Sequence, residues 1–176
     1  MSEPTTAPTR MTPQGALAAE AQRELALTRR LLERVPTDKF DWQPHPKSMK
    51  LGTLASHMAN LVSFFRHSLQ GPETDMTTVA FPPSPTETDE VLRRFDLNGE
   101  NLRQALADVD DATFFDLWHM RRGETSIAKL PRAMVARVLV LNHLIHHRGQ
   151  LSVYLRLLDI PVPAIYGGSA DEAPQR

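Results

Sequence analysis

One segment near the carboxyl end constrains the fold and the chemistry of this chain most strongly. The run LVLNHLIHHRGQL, residues 139–151, places His143, His146 and His147 within five positions of the most apolar part of the sequence. Residues four apart share one face of a helix, so His143 and His147 would point to the same place. Burying imidazoles among Leu, Val and Ile costs free energy unless they have partners. The segment therefore predicts a largely buried helix with the geometry of metal ligands.

Two pairs within this run could chelate an ion, His143 with His147 and His143 with His146. On a helical wheel, His147 lies about 40° to one side of His143, and His146 lies about 60° to the other side. The alternative interpretation is that His146 and His147 belong to a basic polar face beside Arg148. A third ligand is available at His57, which borders the inward face of another predicted helix.

The chain has no cysteine, so disulfides, thiolate metal sites and a cysteine nucleophile are excluded. Only His, Asp and Glu remain as strong metal ligands. Three imidazoles without an evident fourth protein ligand are typical of a site with open coordination positions. Imidazole suits zinc, nickel, copper or iron. Asn142 and Gln150 could orient the ligands or a bound water, although both fit an ordinary polar helix surface equally well.

Helical periodicity and proline positions predict an all-α chain with long connections. An irregular crossover packed on the helices is predicted for residues 110–130. A tail folded back over the helices is predicted for residues 160–172. Long connections favour a four-helix bundle of non-sequential topology, which builds metal sites from side chains on facing helices. The predicted helices cover residues 14–35, 51–70, 86–106 and 131–158.

The two ends of the chain have few apolar residues. We expect residues 1–12 to form a mobile tail, residues 13–166 the bundle, and residues 167–176 a carboxyl-terminal tail whose last residues are disordered. The first residues do not resemble a signal peptide, and no run of about 18 apolar residues predicts a transmembrane helix. The net charge of −1 gives no reason to expect nucleic acid or an anionic membrane as a partner. A cytoplasmic protein is expected.

Several short motifs together resemble a known family. They are WQPHPKSM (42–49), LGTLASH (51–57), LNHLIHHRGQL (141–151), YLR (154–156), PVP (161–163), YG (166–167) and SAD (169–171). In this combination the chain resembles the DinB superfamily of damage-inducible bacterial proteins. The resemblance extends from the first helix to Asp171, and the histidine run is its most specific part.

The resemblance implies a four-helix bundle of up-down-down-up topology, often a homodimer. It also implies a divalent metal ion, commonly zinc or nickel, held by three histidines. By position these are His57, His143 and His147, which leaves His146 with a structural or supporting role.

The resemblance implies one fold but several different functions. Relatives include transferases and isomerases that depend on a low-molecular-weight thiol, and others are regarded as metal-dependent hydrolases. We therefore expect a metal-dependent enzyme, a hydrolase or a thiol-dependent transferase, that acts on a small molecule. One alternative is a non-catalytic stress-induced bundle with a structural or incidental metal. Another is a protein-interaction bundle whose histidines form buried polar pairs without metal.

Overall fold

The computed structural model describes residues 11–80 and 82–173. Residues 1–10 of the tail predicted at 1–12, and residues 174–176 of the tail predicted at 167–176, therefore lie outside the described residues. The helices are α1 (Pro13–Leu32), α2 (Leu51–Leu61), α3 (Phe64–Ser68), α4 (Thr88–Asp108), α5 (Asp111–Phe115), α6 (Arg132–Met134) and α7 (His143–Leu157), with a π-helical segment (Val135–Asn142) between α6 and α7. The strands are β1 (Glu73–Asp75), β2 (Leu117–Arg122) and β3 (Thr125–Pro131).

Four of the helices enclose the core. Helix α1 packs against α4 and α7, and α2 packs against the same two helices. Their inward side chains are apolar, and those of Leu31, Leu54, Met58 and Leu144 are fully buried. The prediction of a mainly helical protein is thus confirmed. Among the described residues, no helix is both long enough and apolar enough to cross a membrane.

The predicted helix over residues 51–70 is wrong in one respect, because it is divided into α2 and α3. The chain turns after α2, where the backbone N–H of Ser63 donates to the carbonyl of Asn60 at 3.1 Å. The hydroxyl of Ser63 donates to the same carbonyl at 2.8 Å. A side chain that bonds to the backbone in this way competes with the regular helical pattern.

A three-stranded sheet replaces the irregular crossover predicted for residues 110–130, so the all-α prediction is wrong for this part of the chain. Strand β2 is central, antiparallel to β3 and parallel to β1. The turn between β2 and β3 contains Gly123, whose φ of +55° favours glycine. Trp118 of β2 is fully buried, and its indole N–H donates to the hydroxyl of Thr74 at 3.1 Å. The sheet therefore packs on the helices and extends the core.

The segment after α7 folds back over the helices, as predicted. Ala164 is buried, and its carbonyl accepts a hydrogen bond from Arg30 of α1 at 2.9 Å. Arg30 also forms an ion pair with Glu172 at 2.6 Å. The hydroxyl of Tyr166 donates to the carboxylate of Glu24, again on α1. These contacts attach the carboxyl-terminal segment to the first helix.

Candidate metal centre

Two helices bring the three predicted histidines together. His57 lies in the middle of α2, His143 is the first residue of α7, and His147 lies one turn later. One ligand nitrogen from each ring lies within 4.8 Å of the other two. The ring centroid of His57 is 5.2 Å from that of His143 and 4.6 Å from that of His147.

A π-helical segment precedes the two histidines of α7. The sequence predicted one continuous α-helix over residues 131–158, and this is wrong for Val135–Asn142. A π turn holds more residues than an α turn, so it changes the direction of the side chains that follow without ending the helix. His143 comes directly after this segment. The π segment therefore contributes to the direction in which His143 and His147 point.

Hydrogen bonds orient the ring of His147. Its Nδ1 lies 2.7 Å from the amide oxygen of Gln150, and its Nε2 lies 2.8 Å from Nε2 of His143. The amide oxygen accepts, so Nδ1 carries the proton and Nε2 keeps its lone pair. This contact agrees with one of the two interpretations of Gln150, that it orients a ligand. Asn142, the other predicted orienting residue, is exposed, and within the described residues its side chain bonds to none of the three histidines.

The histidines of the cluster are held in the neutral form. Burial, together with the smaller effects of the nearby His147 and His143, lowers the pKa of His57 to about 4. Burial also lowers the pKa of His143 and His147, although a backbone hydrogen bond at Leu139 and the contact with Gln150 act in the opposite direction. Neutral imidazole is the form that binds a metal, so the cluster is ready to bind at neutral pH.

The donor set fits a divalent ion that prefers nitrogen. Nitrogen ligands about 2.0–2.1 Å from a tetrahedral ion lie about 3.3 Å from one another. The separations within the cluster extend from 2.8 Å to at most 4.8 Å, so small ring movements reach this value. Three imidazoles without a carboxylate suit zinc or nickel better than magnesium or calcium.

His146 and His45 lie outside the cluster. His146 is exposed, and its ring packs edge-on against that of His147, with centroids 5.0 Å apart. His45 is exposed in the loop before α2, where its Nδ1 accepts from the backbone N–H of Lys47 at 3.1 Å. The pairing of His143 with His146 is therefore not the one that the fold favours.

A cavity of about 440 Å³ opens beside His57 and His143. Asn60 and Arg122 are its polar lining residues. The remaining lining residues are apolar: Leu61, Phe64, Met76, Met120 and Leu139. The volume is within the range of about 300–1,000 Å³ that small-molecule sites occupy.

Sequence reasoning missed the part of this cavity that the sheet supplies, namely Met76, Met120 and Arg122. The available signal was the alternation of Trp118, Met120 and Arg122 before a glycine turn, which is typical of a strand entering a hairpin. Because residues 110–130 were interpreted as irregular, the segment was not expected to line the site.

Solved structures of low sequence identity share this fold. A DinB-like protein from Bacillus cereus ATCC 10987 is 19% identical with a TM-score of 0.67, and the match covers 85% of this chain and 95% of that chain. A DinB-like protein from Bacillus subtilis is 15% identical with a TM-score of 0.64, covering 83% and 95%. A DinB-family structure from Exiguobacterium sibiricum 255-15 is 21% identical with a TM-score of 0.59, covering 85% and 95%. At these identities the similarity shows the fold alone.

The sequence comparison identifies the family. No curated protein matches the sequence significantly. The profile of the DinB family, however, matches residues 1–176, which is the whole chain. The three-histidine cluster and the helical fold agree with the resemblance recognised in the sequence motifs. This chain therefore belongs to the DinB family.

Proposed function

We propose that His57, His143 and His147 bind one divalent metal ion, zinc or nickel, and leave a coordination position open. The observation that carries this proposal is the mutual approach of the three ligand nitrogens to within 4.8 Å. The lowered pKa values of the three rings support it, because protons compete little with a metal at neutral pH. The hydrogen bond from His147 to Gln150 supports it further, since metal-binding histidines usually donate their second N–H to a fixed acceptor.

We propose in addition that the protein is a metal-dependent enzyme, either a hydrolase or a low-molecular-weight-thiol-dependent transferase. A bound divalent ion supplies Lewis acidity that lowers the pKa of a coordinated water or thiol. The apolar cavity beside His57 and His143 would hold a small-molecule substrate and exclude water from it. The described residues that line the cavity include no carboxylate.

Elemental analysis of protein purified without an affinity tag tests the metal site. We expect one equivalent of metal per chain in the wild type, and much less in each of His57→Ala, His143→Ala and His147→Ala. His67→Ala is the matched control, because His67 lies on α3 outside the cluster and should retain the metal. Absence of stoichiometric metal, or undiminished metal in His143→Ala, would overturn the proposal.

Turnover assays test the proposal that the protein is an enzyme. The metal-loaded protein should turn over members of a panel of esters, amides and electrophiles, the last together with low-molecular-weight thiols. His143→Ala should lose this turnover, whereas His67→Ala should keep it. A metal-loaded wild type that turns over no member of such a panel counts against the enzyme and leaves the metal site standing.

A non-catalytic bundle with a structural metal is the alternative. It is favoured by one observation, that the ligands come from α2 and α7, so a bound ion would cross-link two helices of the core. This alternative predicts that chelation lowers the melting temperature by tens of degrees while no substrate is turned over. A small change in melting temperature together with loss of turnover would favour the enzyme.

We also propose that residues 13–166 form one bundle domain of up-down-down-up topology, in a cytoplasmic protein that pairs as a homodimer. The contacts of α1 and α2 with both α4 and α7 support a bundle in which neighbours in space are not always neighbours in sequence. Sedimentation of the purified protein tests the dimer, which predicts the mass of two chains. The mass of one chain would contradict it.

A further inference from the structure

We propose that the cavity beside His57 and His143 takes small molecules with an apolar body and one carboxylate, and that Arg122 binds that carboxylate. This inference rests on the proposed metal-dependent function and names the class of substrate for the same site. It is carried by the position of Arg122 at the edge of an otherwise mainly apolar cavity.

The geometry of β2 directs Arg122 to this cavity. Alternate side chains of a strand point to the same face. Trp118 is fully buried, and Met120 packs against the core and lines the cavity, so this face of β2 is turned towards the helices. Arg122 is two residues further along β2 and lines the same cavity, although the pairing of β2 with β3 is irregular between Met120 and Arg121. It is the last residue of the strand and is exposed, so an entering ligand can reach it.

The neighbouring Arg121 is bonded to carboxylates of the sheet, whereas Arg122 is not. Arg121 donates to Asp75 at 2.6 Å and to Glu73 at 3.1 Å, which ties β2 to β1. Within residues 11–80 and 82–173, Arg122 forms no ion pair and no side-chain hydrogen bond. A guanidinium presents a planar set of donors that matches a carboxylate in a bidentate fashion. Arg122 is therefore available for an anionic ligand.

The charge of the lining indicates the class of anion. Arg122 is the single arginine among the described residues of the lining, which include no lysine, aspartate or glutamate. In the metal-free cavity, one guanidinium balances one negative charge, as a carboxylate carries, better than the charge of about −1.5 to −2 on a phosphate monoester. Leu61, Phe64 and Leu139 form apolar walls that suit a hydrocarbon body.

Calorimetric titration of the metal-free protein with octanoate at pH 7 tests this inference. Octanol, octylamine and octyl phosphate have the same chain and serve as comparison ligands. We expect octanoate to bind most tightly, and Arg122→Gln to weaken its binding about tenfold, the size of one charge-assisted hydrogen bond. Arg122→Lys should retain part of the affinity. Lys129→Gln is the matched control, because it removes one positive charge from the exposed edge of the same sheet and Lys129 does not line the cavity.

Four outcomes would overturn the inference. They are no binding of octanoate, equal binding of octanol, tighter binding of octyl phosphate, and equal losses in Arg122→Gln and Lys129→Gln. Because the titration uses metal-free protein, such a failure leaves the proposed metal site standing. Conversely, absence of metal from the wild type would overturn the proposed function and leave an Arg122-dependent octanoate site intact.

Discussion

A hydrogen bond between Gln150 and His147 determines which nitrogen of that imidazole faces the cluster. Gln150 holds the proton on Nδ1, so the lone pair on Nε2 is directed towards His143. We predict that Gln150→Ala weakens metal binding about tenfold, which is typical when a residue that orients a ligand is removed. Competition with a chromophoric chelator measures the affinity. Gln104→Ala is the control, since Gln104 bonds to Asp108 on α4, away from the cluster. Equal affinities for the wild type and Gln150→Ala would contradict the role of Gln150.

The depressed pKa of His57 predicts how the stability of the metal-free protein depends on pH. Burial places its pKa at about 4 in the folded state, against 6.5 as the ordinary value. Between these values the unfolded chain binds more protons than the folded chain, so the free energy of unfolding decreases as the pH falls. We expect His57 to account for about 2 kcal/mol of this decrease, because solvent at the half-buried ring screens part of the shift.

Denaturant unfolding of metal-free protein at pH 7, 6 and 5 measures this effect. His57→Gln should show a shallower decrease, since glutamine does not titrate and is close to histidine in size. If the wild type and His57→Gln lose stability in parallel over this range, another group is responsible.

At the scale of elements, the start of α2 depends on close contact with the preceding loop. The backbone N–H of Gly52 donates to the carbonyl of Phe40 at 3.0 Å, and a Cβ at Gly52 would lie 2.5 Å from Cδ2 of that ring. We predict that Gly52→Ala destabilises the protein by about 1–3 kcal/mol through overpacking.

A second glycine gives the matched comparison. Gly149 lies within α7, and a Cβ there would meet nothing within 4 Å. Gly149→Ala should therefore stabilise the protein by about 0.5–1 kcal/mol, because glycine loses more backbone entropy in a helix than alanine. Chemical denaturation measures both variants. If both substitutions stabilise the protein, the close contact between Gly52 and the ring of Phe40 is contradicted.

The helices were predictable because their signals are local. Residues 14–35 and 86–106 carry apolar positions at helical spacing, and α1 and α4 follow these segments closely. The start of α1 is local as well: Pro13 is its first residue, and the hydroxyl of Thr12 accepts from the backbone N–H of Gly15 at 3.1 Å. Caps and periodicity depend on residues within a few positions of one another, so a single sequence displays them.

The sheet was not predictable in the same way. Its first strand has three residues, and it pairs with β2 across more than 40 positions of sequence. Arg121 and Asp75 form an ion pair across the two strands, and no local pattern in the sequence indicates this contact. As a result the histidines were predicted from motif and spacing, whereas Met120 and Arg122 in the cavity lining were missed.

At the scale of the whole molecule, a buried ion pair connects the first helix, the last helix and the carboxyl-terminal segment. Arg148 and Glu24 lie 2.8 Å apart, with only 3% of each side chain exposed. The hydroxyl of Tyr166 donates to Glu24 at 2.6 Å, and Arg148 donates to that hydroxyl at 2.5 Å. Because Arg148 follows His147 directly, this network also fixes the part of α7 that carries the proposed ligands.

We predict that Glu24→Gln destabilises the protein by about 3–5 kcal/mol, because it leaves the guanidinium of Arg148 buried without a counter-charge. Tyr166→Phe should cost about 1 kcal/mol, the net value of one hydrogen bond. Glu20→Gln is the control, since Glu20 pairs with the more exposed Arg137 and should cost at most about 1 kcal/mol. Thermal and denaturant unfolding measure all three. Equal losses in Glu24→Gln and Glu20→Gln would show that burial does not strengthen the dependence on this pair.

The central claim is that three imidazoles from α2 and α7 hold one metal ion. X-ray absorption spectroscopy at the metal edge tests it most directly, because multiple scattering from imidazole rings counts the histidine ligands. For the wild type we predict three histidines together with at least one oxygen or sulfur ligand from solvent or a thiol. In a His57→Ala sample with enough bound metal to measure, two histidines should remain. A wild-type spectrum without imidazole scattering, or a histidine count that His57→Ala leaves unchanged, would contradict the account.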